Sequence, residues 1–94
     1  MNKSITKYII INKINNSFWT RTVHYGFTAY NKQVMDARFT DDLLDANFMS
    51  ETQAKEQLKA FLSLEIEYLN ILDPNLLTLT PVNVTYSIPL IEVK

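Results

Sequence analysis

The 94-residue sequence has no cysteine, one glycine (Gly26), one histidine (His24) and one tryptophan (Trp19). Without cysteine there are no disulfides, thiolate zinc centres or cysteine nucleophiles. A single glycine excludes a phosphate-cradling glycine loop. Long apolar runs are lacking as well. Tyr8-Ile9-Ile10-Ile11 is closed by Asn12 and Lys13, whereas a signal-peptide core needs about 7–15 apolar residues and a membrane span about 20. The expectation is therefore a cytoplasmic chain without a membrane anchor. Hydrophobic residues at 47% and charged residues at 20% give a globular rather than a disordered balance, and the length suits one domain, residues 1–94.

The first 40 residues read as strands. Thr6 to Ile14 is rich in Ile and Tyr, and Asn15-Asn16-Ser17 supplies a turn, because Asn tolerates positive φ. Phe18 to Tyr30 alternates with period 2. That places Trp19, Arg21, Val23, Tyr25, Phe27 and Ala29 on one face and Thr20, Thr22, His24 and Thr28 on the other. Gly26 marks a bulge or a close backbone approach. After a turn at Asn31-Lys32, Val34 to Thr40 alternates again. Three strands joined by short turns predict an antiparallel meander.

Ser50-Glu51-Thr52-Gln53 fits the capping box, with Glu51 and Lys55 spaced i,i+4, so a helix begins at Glu51. Its end is ambiguous. Ala54, Leu58, Phe61, Leu62, Leu69 and Leu72 share a face at 3.6-residue spacing, which carries one helix to Asp73-Pro74. Leu62, Leu64, Ile66 and Tyr68 also alternate with Ser63, Glu65 and Glu67, which is a strand pattern. With no Gly, Pro or Asn between residues 58 and 69, the long helix is the preferred reading. It sets Glu65 inside an apolar face, where a carboxylate is costly. Leu77 to Ile88 is a last strand, with Pro81 at an edge or bulge, and Pro89 to Lys94 is a tail. The expected fold class is α+β: a three-stranded antiparallel meander, one main helix packed on the sheet and a C-terminal strand, βββαβ.

Charge is divided along the chain. Residues 1–38 hold six basic groups and one acid, a net of +5, and residues 39–94 hold three basic groups and nine acids, a net of −6. A basic, aromatic sheet face formed by Lys13, Trp19, Arg21, Tyr25 and Arg38 would suit single-stranded nucleic acid through phosphate attraction and stacking. Aromatics alternating on one strand more often form the core beneath a helix. Asp41, Asp42 and Asp45 form a D-D-x-x-D group that is compatible with a divalent cation, although such acids usually cap a short turn. His24, with Thr20 and Thr22 beside it, lacks an orienting partner for general-base work. No metal, no cofactor and no catalytic residue is expected.

On the long-helix reading, the polar arc is narrow, and Leu64, Tyr68 and Ile71 lie outside the core-facing stripe. A helix apolar over more than half its circumference needs cover on two sides. A partner protein, a second copy of the chain paired through the helix, or the tail Ile88 to Val93 would supply it. Partner-binding candidates are Asp41, Asp42, Asp45, Leu64, Glu67, Tyr68 and Ile71.

Residues 39–58 run from Phe39-Thr40-Asp41-Asp42 through Asp45-Ala46-Asn47-Phe48-Met49-Ser50-Glu51 to Ala54 and Leu58. This strand end, acidic turn, Ala-x-Phe step and capped helix resembles small α+β proteins of phages and mobile elements of low-GC bacteria. Nine Ile, nine Asn, seven Lys and five Tyr, all with AT-rich codons, fit that source. The resemblance covers about a fifth of the chain and carries no site motif. It implies a non-enzymatic binder that inhibits a host protein, such as an anti-CRISPR inhibitor of a defence nuclease, with acidic residues mimicking nucleic-acid phosphates. The competing expectation is single-stranded nucleic-acid binding by the basic strand half.

Overall fold

The computed structural model describes residues 2–71 and 73–87. Five strands and one helix follow in the order β1 (Asn2–Asn12), β2 (Ser17–Phe27), β3 (Gln33–Thr40), α1 (Glu51–Phe61), β4 (Ile66–Tyr68) and β5 (Leu77–Ser87). They form one sheet of order β4-β3-β2-β1-β5 with the helix against one face. The α+β class, the meander, the single helix and the closing strand are as the sequence predicts. β4 is an addition, and it makes the sheet mixed, because it pairs with β3 in parallel while the other strand pairs are antiparallel.

The turns are built as their residues dictate. Asn16 (φ 56°) and Asn31 (φ 61°) hold the left-handed conformations of the two meander loops. The Asn15 side chain accepts from the Ser17 N–H at 3.2 Å. Helix α1 begins at the predicted cap. Ser50 Oγ accepts from the Gln53 N–H, and Gln53 Oε1 accepts from the Ser50 N–H, both at 3.2 Å. Lys55 and Glu51 pair at 2.8 Å.

The long helix does not form. α1 ends at Phe61, and Ser63 Oγ accepts from the Glu65 N–H to turn the chain. The chain then lays Ile66, Glu67 and Tyr68 opposite Gln33, Val34 and Met35. The free edge of β3 offers backbone partners that are distant in sequence, and this pairing overrides helical periodicity. Asn70 extends it with its side chain. Its Oδ1 accepts from the Ala37 N–H at 2.9 Å, and its Nδ2 donates to the Ala37 carbonyl, so the amide stands in for a peptide unit. Glu65 is exposed rather than buried in an apolar face.

The face predicted for β2 is also corrected. Trp19 pairs with Phe39, but Arg21, not Thr20, pairs with Arg38, and a second shift lies between His24 and Gly26. Each bulge adds one residue and inverts the alternation beyond it. Trp19 consequently shares its face with Thr22, whose Oγ1 accepts from the Trp19 Nε1–H at 3.3 Å. Arg21 and Tyr25 do not share Trp19's face.

The core lies between the sheet and α1: Ile10, Trp19, Ala37, Met49, Ala54, Phe61 and Leu77. Ala37 and Ala54 are completely buried, and their small side chains let the helix approach the sheet closely. Phe61 meets Trp19 edge-on at 5.8 Å and Tyr68 at 4.9 Å. The segment before the helix acts as a wedge. β1 and β2 pair only at Ile11–Phe18 and Asn12–Ser17 and then diverge. Into the fork go Met49, which exchanges both backbone bonds with Tyr8 (2.8 and 2.9 Å), and Asn47, whose N–H donates to the Trp19 carbonyl at 2.9 Å. The molecule is elongated, 65 × 28 × 22 Å with a radius of gyration of 16.7 Å, against about 12 Å for a compact chain of this length. Pro81 lies on the edge strand β5, as its missing N–H requires. The predicted tail Pro89 to Lys94, Ile88 and Leu72 lie outside the described residues.

Candidate protein-binding groove

Because the chain turns after α1 instead of continuing as helix, Phe61 to Leu64, Ile66 to Tyr68, Ile71 and Pro74 line an open groove of about 230 Å³. Leu64, Glu67, Tyr68 and Ile71, four of the predicted partner-binding residues, meet there with Leu62 and Lys32. A second hollow, formed by the β2–β3 loop (Tyr30 to Gln33) and the turn Ser63–Ile66, adjoins it and shares Lys32, Leu64 and Ile66. The rim is unusually apolar for exposed surface. Leu64 is 89% exposed and Tyr30 94%, and Leu62 is exposed too. Single exposed apolar residues are ordinary, but several along one trough mark an interaction surface. Tyr68 forms its inner wall, and burial pushes its phenol above the ordinary value of 10.0, with a hydrogen bond to Gln57 opposing the shift.

The reason for the grouping differs from the one the sequence suggested. Leu64 sits in a turn, Glu67 and Tyr68 on a sheet edge, and none of them on the helix. The helix itself exposes Glu51, Thr52, Gln53, Lys55, Glu56 and Lys59, so the broad apolar arc that called for a dimer through the helix is absent. Tyr30 and Leu62 are not among the partner-binding candidates that the sequence offers. An aromatic directly before the Asn31 turn was the available signal.

Asp41, Asp42 and Asp45 are exposed and do not line the groove. Asp42 caps a single 3₁₀ turn at Leu43–Asp45: its Oδ1 accepts from the Leu44 N–H at 3.0 Å, and its own N–H donates to Thr40 Oγ1 at 3.1 Å. Among the described residues no group of three acids, histidines or cysteines is placed to hold a metal ion.

The structure brings three of the five proposed nucleic-acid residues together, Arg21 opposite Arg38 and Tyr25 bonded to Arg38, and sets Trp19 and Lys13 apart from them. Trp19 is a core residue, 6% exposed, and cannot stack on a base. Arg38 pairs with Asp36 at 3.2 Å, and its Nη2 donates to Tyr25 Oη at 3.1 Å, while the Tyr25 hydroxyl donates to Asp36 at 3.4 Å. Arg38 is thus partly neutralised within the chain. Arg21 is exposed, and Lys13 lies in the β1–β2 turn, its N–H donating to the Leu76 carbonyl at 3.0 Å. His24 packs edge-on against Phe27 at 5.4 Å, and among the described residues no carboxylate hydrogen-bonds to it. Thr22 beside it is occupied by Trp19.

No protein-family model, no curated protein and no solved structure matches this chain. Among the described residues no helix is long and apolar enough to cross a membrane. Fold and groove define a small α+β domain with one group of exposed apolar side chains at the β4 side of the sheet, and others at Leu43–Leu44 and along the β1–β5 ribbon.

Proposed function

We propose that the chain is a non-enzymatic protein–protein interaction module whose contact surface is the groove beside β4. The observation that carries this reading is the run of exposed apolar side chains, Tyr30, Leu62 and Leu64, along one trough. Desolvating such groups in a partner's interface releases the water they now order, and a few buried anchors, tyrosine among the favoured ones, supply most of the energy of an interface. Lys32, Glu65 and Glu67 provide a charged rim that would set orientation. The partner class implied by the resemblance is a host defence protein, such as a CRISPR nuclease, inhibited by stoichiometric occupation.

The test is affinity capture from bacterial host lysate with the wild-type chain and with Leu64→Asp and Tyr30→Asp. Both positions are exposed, so the variants keep the fold, and each is expected to lose a discrete captured protein. Added to a cleavage assay of a defence nuclease, the wild-type chain is expected to stop cleavage at about one copy per enzyme. Recovery of oligonucleotide alone, with affinity falling steeply as salt rises, would replace this reading with nucleic-acid binding.

A further inference from the structure

We infer that two copies of this chain associate by antiparallel pairing of their β5 strands about a two-fold axis near Val82 and Asn83, merging the two sheets into one. The outer half of the β1–β5 ribbon supplies the first reason. Beyond Tyr8 toward Asn2, β1 pairs with β5 alone among the described residues. Lys3, Ser4, Ile5 and Thr6 are exposed, as are Asn83, Thr85 and Tyr86 opposite them. A two-stranded ribbon without a third strand or a covering layer is marginal in water.

The edge itself is ready to pair. Tyr8 spends both backbone groups on Met49, so the facing Tyr8–Pro81 pair is a non-hydrogen-bonded one and the Pro81 nitrogen points away from β1. By alternation, the backbone groups of Leu79, Asn83 and Thr85 point the same way, and the row lacks only the donor of Pro81. The 11-residue strand carries no charged side chain, and charge is a common means of blunting an edge. The opposite edge, β4, is three residues long and bears Glu67. Register also places Ile5, Val82, Val84 and Tyr86 on the face away from the core residues Ile10 and Leu77, so a β-branched and aromatic stripe runs beside the edge.

A second copy is the occupant because the need is reciprocal. Antiparallel self-pairing sets the unsupported end of one β5, residues 83–87, beside the partner's residues 77–81, which the helix-covered core holds in place. Each copy supplies the support that the other lacks, no like charges face each other across the β5 strands, and the contact closes with both edges consumed. The grooves, at the other edge of each sheet, stay open.

The experiment is light scattering on the full chain from about 1 µM to 1 mM, a range that spans association free energies typical of small dimers. The expected result is a mass twice that of one chain at the upper end. Thr85→Pro removes an outward N–H without touching the β1 ladder and should weaken association about tenfold or more; Pro81→Thr adds one and should strengthen it several-fold. Circular dichroism checks that each variant keeps its fold. Should Thr85→Pro lose its fold, Val84→Lys, which sets a charge beside the two-fold axis, takes its place with the same expectation. A mass of one chain throughout the range, or a dimer whose affinity the folded edge variants leave unchanged, overturns the inference. Loss of dimer with groove-dependent capture intact separates it from the reading of the groove.

Discussion

Ile9 and Ile5 lie on the same strand and the same face, four residues apart, yet Ile9 is 1% exposed and Ile5 43%. Both follow the same alternation, and both pair with β5. The difference comes from what the rest of the chain brings to each place. At Ile9 and Ile10 both faces of β1 are covered, and the wedge at Met49 closes the gap toward β2. At Ile5 the ribbon has left the body of the protein. A periodic pattern determines which way a side chain points, but burial also requires neighbours over that face, and the body of the protein supplies them at Ile9 and not at Ile5.

The contrast can be broken most severely from the covered side. Phe61→Ala removes the ring that joins Trp19 to Tyr68 and should cost about 3–5 kcal/mol, read as a fall in the urea midpoint followed by Trp19 fluorescence. Truncating the two isoleucines sharpens the comparison directly: Ile9→Ala should lose about 2–4 kcal/mol and Ile5→Ala less than about 1 kcal/mol in the same measurement. Equal losses would show that the ribbon is covered in solution. Asn70→Ala strands the N–H and carbonyl of Ala37, a fully buried residue, and should cost about 2 kcal/mol, with faster amide exchange at Ala37. Ser50→Ala breaks the capping box and should cost about 1 kcal/mol, visible as a lower thermal midpoint. The smallest effect is the alkaline one. The Tyr68 phenol is raised by burial, so its contribution to stability is complete below the unfolded value near 10 and is lost as pH rises through the folded value. Tyr68→Phe should flatten that slope in denaturant titrations above pH 9.5 or so.

Those parts of the fold that depend on neighbours in sequence were legible in it. The capping box needs only Ser50 and Gln53, and the left-handed turns need only Asn16 and Asn31. What was illegible depends on partners far along the chain. Nothing within residues 58–72 says that β3 has a free edge, so helical spacing was followed past Phe61, and Asn70 looked like one more polar residue. The bulge at Thr20 exists because β2 must match β3 on both sides of it, and one inserted residue moved Arg21 and Tyr25 off Trp19's face. For the groove, the helical reading leaves Leu64, Tyr68 and Ile71 without cover and sets Glu67 on the polar arc beside them. That shortage persisted when the helix gave way to a turn and a strand, which is why they still meet.

The pairing of β1 with β5 also sets a clock. Partners such as Asn12–Leu77 and Asn2–Ser87 are 65 and 85 residues apart, so at a synthesis rate of about 5–20 residues per second the first strand waits for several seconds before its mate exists. In that interval the two bonds between Tyr8 and Met49 offer a provisional anchor only 41 residues away, which would hold β1 against the new helix and keep its isoleucines out of competing strand pairings. Folding that closes first on last is slow for its size. A wedge placed midway along the chain shortens the time during which β1 has no partner.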